Sequence, residues 1–244
     1  MQHFQTQVSK KPKILLVMHQ EGSTPGRCGF FLDQMGYHLV ACRPAIGEKL
    51  PETMEDYAGA VVFGGPMSAN DPDDFVKDEI DWMEVPLKEN KPLFGICLGA
   101  QMLTKHLGGE VAKHDEELTE IGYYPIRPTN EGQAMMDWPD HVYHWHKEGF
   151  SLPSDATLLA NGETYPNQAF RYKENAYGVQ FHSEVTHWMM NRWTVKAAER
   201  LTLPGAKSRE EHFDGRLQYD KAVSKWLKEF LELWVGSAQI NKQT

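Results

Sequence analysis

The stretch KPLFGICLGAQML, residues 91–103, decides how this chain is read. A short apolar run enters Gly95-Ile96-Cys97-Leu98-Gly99, and a helix-like apolar pattern leaves it. A strand that turns this sharply into a helix exposes one residue at the carboxyl end of a sheet, and flanking glycines permit the crowded backbone. Here that residue is Cys97. Its sulfur would lie at the N-terminus of the next helix, whose dipole favours thiolate over thiol. The backbone N–H groups that follow would be left free to bind an oxyanion. The same residues equally describe a buried structural cysteine between two packing glycines, because free cysteine is usually buried.

Outward from this turn, strand and helix patterns alternate. KILLVM (13–18), HLVAC (38–42), AGAVVFGG (58–65) and PLFGI (92–96) are compact apolar runs suited to buried parallel strands. GRCGFFLDQMG (26–36), DDFVKDEIDWMEVPL (73–87) and LGAQMLTKHLG (98–108) carry apolar residues at helical spacing. Short connections between them predict a doubly wound, mostly parallel sheet with helices on both faces. From about residue 110 to 182 the runs IGYYPIR, HVYHWH, ATLLA, QAFRY and AYGVQF predict short strands, mostly in antiparallel pairs. NRWTVKAAERL (191–201) and YDKAVSKWLKEFLELWVG (219–236) read as helices, with TLPGAKSREEHFDGR between them as a charged loop. The expected organisation is a single domain over 1–244, with a polar tail at 1–12 and a C-terminal extension at 202–244.

Composition narrows the function classes. The chain has 244 residues and a net charge of −9, with Lys and Arg scattered, which argues against nucleic acid or an anionic membrane as main partner. No apolar run approaches the ~20 residues of a membrane span, and the start MQHFQTQVSKKPK is not patterned as a secretory signal. Cys28, Cys42 and Cys97 form no CxxC pair, so the expectation is a cytoplasmic protein without a disulfide framework.

A cysteine nucleophile wants a histidine base, and the base wants an acceptor that holds its tautomer. YGVQFHSEV (177–185) ends an apolar run in His182 with Glu184 two residues on, and period-2 alternation would put both on one side of an extended chain. The other reading is a strand-end histidine beside an exposed glutamate. FGGPMSAND (63–71) ends a strand in two glycines that could aim an N–H above the sheet, or could form an ordinary tight turn. As a phosphate loop it is poor, since no Gly-Lys-Ser or Gly-Lys-Thr follows.

Taken together, GICLGAQ, FGGPMS and YGVQFHSEVTH resemble the class I glutamine amidotransferases, and most of all the amidotransferase domain of GMP synthetase. HWHKEGFSLP (144–153) is similar to that group's HWHGDxFxLP segment, so the resemblance covers roughly residues 13 to 190 in the family's order. It implies a flavodoxin-like fold of the amidotransferase type. It also implies a nucleophile at Cys97, a base at His182 and an orienting acid at Glu184. The backbone N–H groups of Gly65 and Leu98 would form the oxyanion hole, with glutamine contacts near Gln101 and His146. No metal or organic cofactor is required. Two positions depart from the pattern: Ser183 replaces proline, and Lys147-Glu148 replace a Gly-Asp pair near the expected substrate mouth.

The implied activity is hydrolysis of the glutamine side-chain amide through a γ-glutamyl thioester. The released ammonia would go to a separate acceptor, for instance a synthetase subunit, since the chain has no phosphate-loop motif. The alternatives are a stand-alone hydrolase of γ-glutamyl amides or peptides, or a catalytically silent binding module. A metal site at His141, His144, His146 and Glu148 is disfavoured for want of a second ligand set. The stripe Trp226, Leu227, Phe230, Leu231 and Trp234 is expected to pack on its own domain rather than dock a partner.

Overall fold

The computed structural model describes residues 11–240. Residues 1–10 and 241–244 lie outside the described residues, and most of the polar tail expected at 1–12 falls there. The first half runs β1 (Lys13–Val17), α1 (Gly26–Gln34), β2 (His38–Cys42), β3 (Tyr57–Val62), α2 (Asp74–Trp82), α3 (Glu84–Lys88), β4 (Leu93–Ile96) and α4 (Leu98–His106). The second half runs β5 (Val111–Lys113), β6 (Glu120–Pro125), β7 (Arg127–Pro128), α5 (Asn130–Met135), β8 (His141–His146), β9 (Glu148–Phe150), β10 (Ala156–Asn161), β11 (Ala169–Tyr172), β12 (Ala176–Val179), α6 (His187–Lys196) and α7 (Arg209–Ile240).

The central sheet has eight strands in the order β2-β1-β3-β4-β12-β11-β10-β7. The first five are mutually parallel, and β11, β10 and β7 continue the sheet in antiparallel pairs. β5 pairs with β9 and β6 with β8 in two small antiparallel sheets. The expected doubly wound, mostly parallel architecture with an antiparallel addition is thus the observed one.

Alternation along the strands divides the core into two layers. Ile14, Leu16, Val61, Phe94 and Ile96 face one side, against Trp226, Phe230 and Trp234 of α7. Leu15, Val17, Ala60, Val62 and Leu93 face the other, against Trp82, Met83, Leu98, Met102 and Leu103. Successive side chains of a strand point to opposite faces, so a continuous apolar run serves both layers at once. The C-terminal stripe therefore packs on its own sheet, each large side chain contributing about 1.5–3 kcal/mol by burial.

Three expectations are corrected. The helix expected over 73–87 is two, α2 and α3, divided at Met83. Pro86 has no N–H to give to Trp82 and its ring crowds that carbonyl, so a single continuous helix cannot form there. The charged segment 202–216 is a loop only in part, because α7 begins at Arg209. There the Ser208 and Glu211 side chains each accept the other's backbone N–H, a reciprocal cap that starts the helix. Finally, the helix expected at 191–201 starts earlier, where the Thr186 hydroxyl accepts the Met189 N–H, and gives way to a 3-10 turn at Ala198–Thr202. Among the described residues, no helix is long and apolar enough to cross a membrane.

Candidate active site

β4 and β12 are adjacent and parallel, so their carboxyl ends deliver Cys97 and the segment after Val179 to the same place. Cys97 caps α4 with φ 52° and ψ −105°, a left-handed backbone that a side chain adopts only under strain. Its N–H donates to the Val179 carbonyl at 2.8 Å, and its carbonyl accepts the Gln101 N–H at 3.0 Å. The turn is held at both ends. Gly99 lets α4 lie directly on β3, since a Cβ there would come within 2.1 Å of the Val62 carbonyl oxygen.

His182 and Glu184 do meet, though not by strand alternation. β12 stops at Val179, and residues 180–184 leave the sheet in a bend and a turn. The His182 N–H bonds the Tyr143 carbonyl at 2.7 Å, and the Glu184 carbonyl accepts the Arg27 N–H at 2.9 Å. That second bond depends on Gly26, where φ is +53° and a Cβ would sit 2.2 Å from the Glu184 carbonyl oxygen. The His182 Nδ1–H donates to Glu184 Oε1 at 2.8 Å, which leaves Nε2 free to face Cys97. Burial alone would lower the His182 pKa. The Glu184 carboxylate and the Cys97 sulfur reverse this, so it stands above its ordinary value.

The two glycines after β3 lie against this pair. A Cβ on Gly64 would come within 2.6 Å of His182 Cε1 and 3.5 Å of the Cys97 Cβ. One on Gly65 would meet the Leu98 side chain at 2.9 Å, so Gly65 and Leu98 are neighbours beside Cys97. The Leu98 N–H, first in α4, has no intrahelical partner. Behind the glycines is a buried pair that the sequence did not suggest: His19 lies 3.2 Å by Nδ1 from the Gly64 carbonyl and 2.8 Å by Nε2 from Glu79. Both neighbours are acceptors, which makes His19 a double donor. Burial lowers its pKa, but Glu79 and the Gly64 carbonyl outweigh burial and raise it. The available signal was a polar residue directly after the KILLVM run, at the carboxyl end of a parallel strand.

Gln101 and His146 are both buried, and both reach Cys97 only through a relay rather than facing an open mouth. Gln101 Nε2 donates to the Glu148 carbonyl at 2.9 Å and to Gln180 Oε1 at 3.2 Å, while Gln180 Nε2 donates to Cys97 Sγ at 3.7 Å. Gln180 was missed in the sequence although it stands two residues before His182. His146 Nδ1 donates to the Glu148 carbonyl, and its Nε2 lies 3.0 Å from Glu120 Oε2 and 3.1 Å from His144 Nδ1.

Glu120, His144 and His146 could together hold a metal ion, a different set from the His141, His144, His146 and Glu148 weighed in the sequence. His141 instead stacks on Tyr219. The three make a closed hydrogen-bonded cluster in which Glu120 Oε2 also accepts from Gln168 at 2.9 Å. Ser183, at the proline position, is fully buried with no partner for its hydroxyl among the described residues, and Lys147 is exposed. Cys28 and Cys42 are free and buried. Burial, with Glu184 adding to it, pushes the Cys28 thiol well up, and burial with Glu48 and Glu79 pushes Cys42 to about 11.

Comparison with known proteins identifies the family. The family model "Glutamine amidotransferase class-I" matches residues 37–196. The chain is 32% identical to the glutamine amidotransferase-like protein YfeJ of Salmonella typhimurium over 203 residues, covering 78% of this chain and 79% of that one. It is 33% identical over 160 residues to a subunit of the glutamine-hydrolyzing GMP synthase of Sulfurisphaera tokodaii, covering 64% and 81%. A crystal structure of a glutamine amidotransferase from Thermotoga maritima superposes with a TM-score of 0.83 at 31% identity, over 93% of this chain and 99% of that one. The chain belongs to the class I glutamine amidotransferases.

Proposed function

We propose that the chain hydrolyses the side-chain amide of glutamine at Cys97, with His182 and Glu184 completing a triad. The observation that carries this is the strained Cys97 at the start of α4, with Gly64 packed against both it and a buried histidine that Glu184 orients at 2.8 Å. The thiolate attacks the carboxamide carbon, and the N–H groups of Gly65 and Leu98 stabilise the oxyanion, a contribution of about 10²–10³ in rate per donor at such sites. His182 gives its proton to the departing ammonia, the C–N bond breaks, and a γ-glutamyl thioester remains. His182 then takes a proton from water as it attacks the thioester, which releases glutamate and restores the thiolate.

Gln180 supports the sulfur in this scheme, and Gln101 holds Gln180 in place as well as bordering the glutamine. His19 and Glu79 fix the Gly64 carbonyl and so the direction of the neighbouring Gly65 N–H. Residues 1–244 then act as one amidotransferase domain. The ammonia acceptor is a separate synthetase subunit, a reading supported by the similarity to one subunit of a GMP synthase. The test is glutamate release from glutamine by purified protein. Turnover that disappears in Cys97→Ala supports the reading, and turnover that survives the substitution overturns it.

A further inference from the structure

We infer that the cleft beside His182 is a subsite for an acidic leaving group, so that the chain also hydrolyses γ-glutamyl amides whose amine carries free carboxylates. This rests on the proposed thioester chemistry and changes only the leaving group, from ammonia to an acidic amine. The cleft measures about 380 Å³ and has Gly64, Gly65 and His182 in its wall. Ammonia needs only a passage out, whereas this volume lies in the range that takes ligands of drug size. Gln101 and His146 are not part of the wall. The leaving nitrogen is the atom that His182 protonates, so any substituent on it must extend along the His182 side, where the cleft opens.

The charge of the cleft runs against that of the chain. In a protein of net charge −9, its outer wall carries Arg192, Lys196 and Arg200, from α6 and the 3-10 turn after it. Among the described residues none of these three forms an ion pair with a carboxylate. Glu184 also lines the cleft, but its Oε1 is engaged by His182. The Arg192 guanidinium lies 5.4 Å from the Trp188 ring, and Trp145 and Trp193 also line the cleft, with the Trp193 ring 5.0 Å from that of His182. Three cations lining one cleft without carboxylate partners among the described residues suit a ligand with more than one negative group.

The bond changes balance without a co-reactant. Cys97 Sγ forms the thioester, the amide C–N bond breaks, the His182 proton passes to the amine nitrogen, and water later releases glutamate.

The test compares γ-glutamylglutamate, whose leaving amine has two carboxylates, with γ-glutamylglutaminamide, which has the same shape and none. We expect the wild-type protein to favour the dianionic leaving group in kcat/KM by about tenfold or more, with the preference shrinking as salt rises. In the double variant R192Q/R200Q the ratio of the two kcat/KM values should fall toward unity. Equal efficiencies in the wild type, or a preference that ignores both salt and the double variant, overturn the subsite while leaving Cys97 chemistry intact. No Cys97-dependent glutamate release from either compound or from glutamine overturns the underlying reaction as well.

Discussion

If the Cys97 backbone is strained, removing its Cβ should cost the fold nothing. At a relaxed buried position the step from Ala to Gly loses about 0.4–1 kcal/mol through unfolded-state entropy and about 0.8 kcal/mol of methyl burial. Together that is roughly 1.5 kcal/mol. Holding a non-glycine residue in such a sparsely populated region costs about 1–3 kcal/mol, and at Cys97, with φ 52° and ψ −105°, a glycine is released from it. The terms nearly cancel with a small surplus for glycine. We therefore expect Cys97→Gly to be at least as stable as Cys97→Ala, by about 0.5 kcal/mol. Denaturant unfolding of the two variants measures the difference, and Ala100→Gly, on the relaxed helix three residues on, calibrates the ordinary cost in the same protein. A Cys97→Gly variant about 1.5 kcal/mol less stable than Cys97→Ala, or roughly 3–6 °C lower in Tm for a chain of this size, would refute the strain.

Other perturbations test separate supports of the site. Gly99→Ala places a Cβ 2.1 Å from the Val62 carbonyl oxygen, so α4 must lift off β3; we expect a loss of about 3 kcal/mol in denaturant unfolding. Glu120 should help stability above about pH 4.5 and lose that contribution on the acid side. Burial raises its pKa, but His144 and the hydrogen bonds from His146 and Gln168 hold it down at about 2. Burial pushes His144 itself to about 3, so above that pH the restraint comes from His146 and Gln168. A lowered carboxylate contributes stability above its unfolded pKa near 4.5 and loses it as pH falls toward 2, so Glu120→Gln should flatten unfolding profiles in that window. Glu79→Gln removes the partner that raises His19. Glutamine hydrolysis should lose about tenfold in kcat with little change in KM, and its alkaline decline should move to lower pH.

The parts of the fold that were legible are those written in local pattern. β1, β2, β3 and β4 are apolar runs bounded by turn residues, and their alternating faces feed two core layers, so composition and period coincide. α7 was half legible. Its apolar stripe announced the helix, but the charges of REEHFDGR obscured the Ser208–Glu211 cap that starts it a full ten residues before Tyr219. At the site, Cys97, His182 and Glu184 stand out because each lies in or just after a strand-end motif. Alternation was nevertheless the wrong reason for pairing the last two, since a turn that Gly26 and Arg27 brace brings them together. The His19–Glu79 pair and the Glu120–His144–His146 cluster join distant segments, and no local pattern signals which buried polar groups will meet.

Of the three cysteines, Cys97 alone should carry the γ-glutamyl group, and trapping the thioester tests this directly. Protein mixed with isotopically labelled glutamine is acid-quenched within the first turnover, digested and mapped for γ-glutamyl thioester on its three cysteines. Burial holds the Cys28 and Cys42 thiols protonated and unreactive, so we expect the label on the peptide containing Cys97 and on no other. Glutamate release without any thioester on Cys97, or label on Cys28 or Cys42, would contradict it.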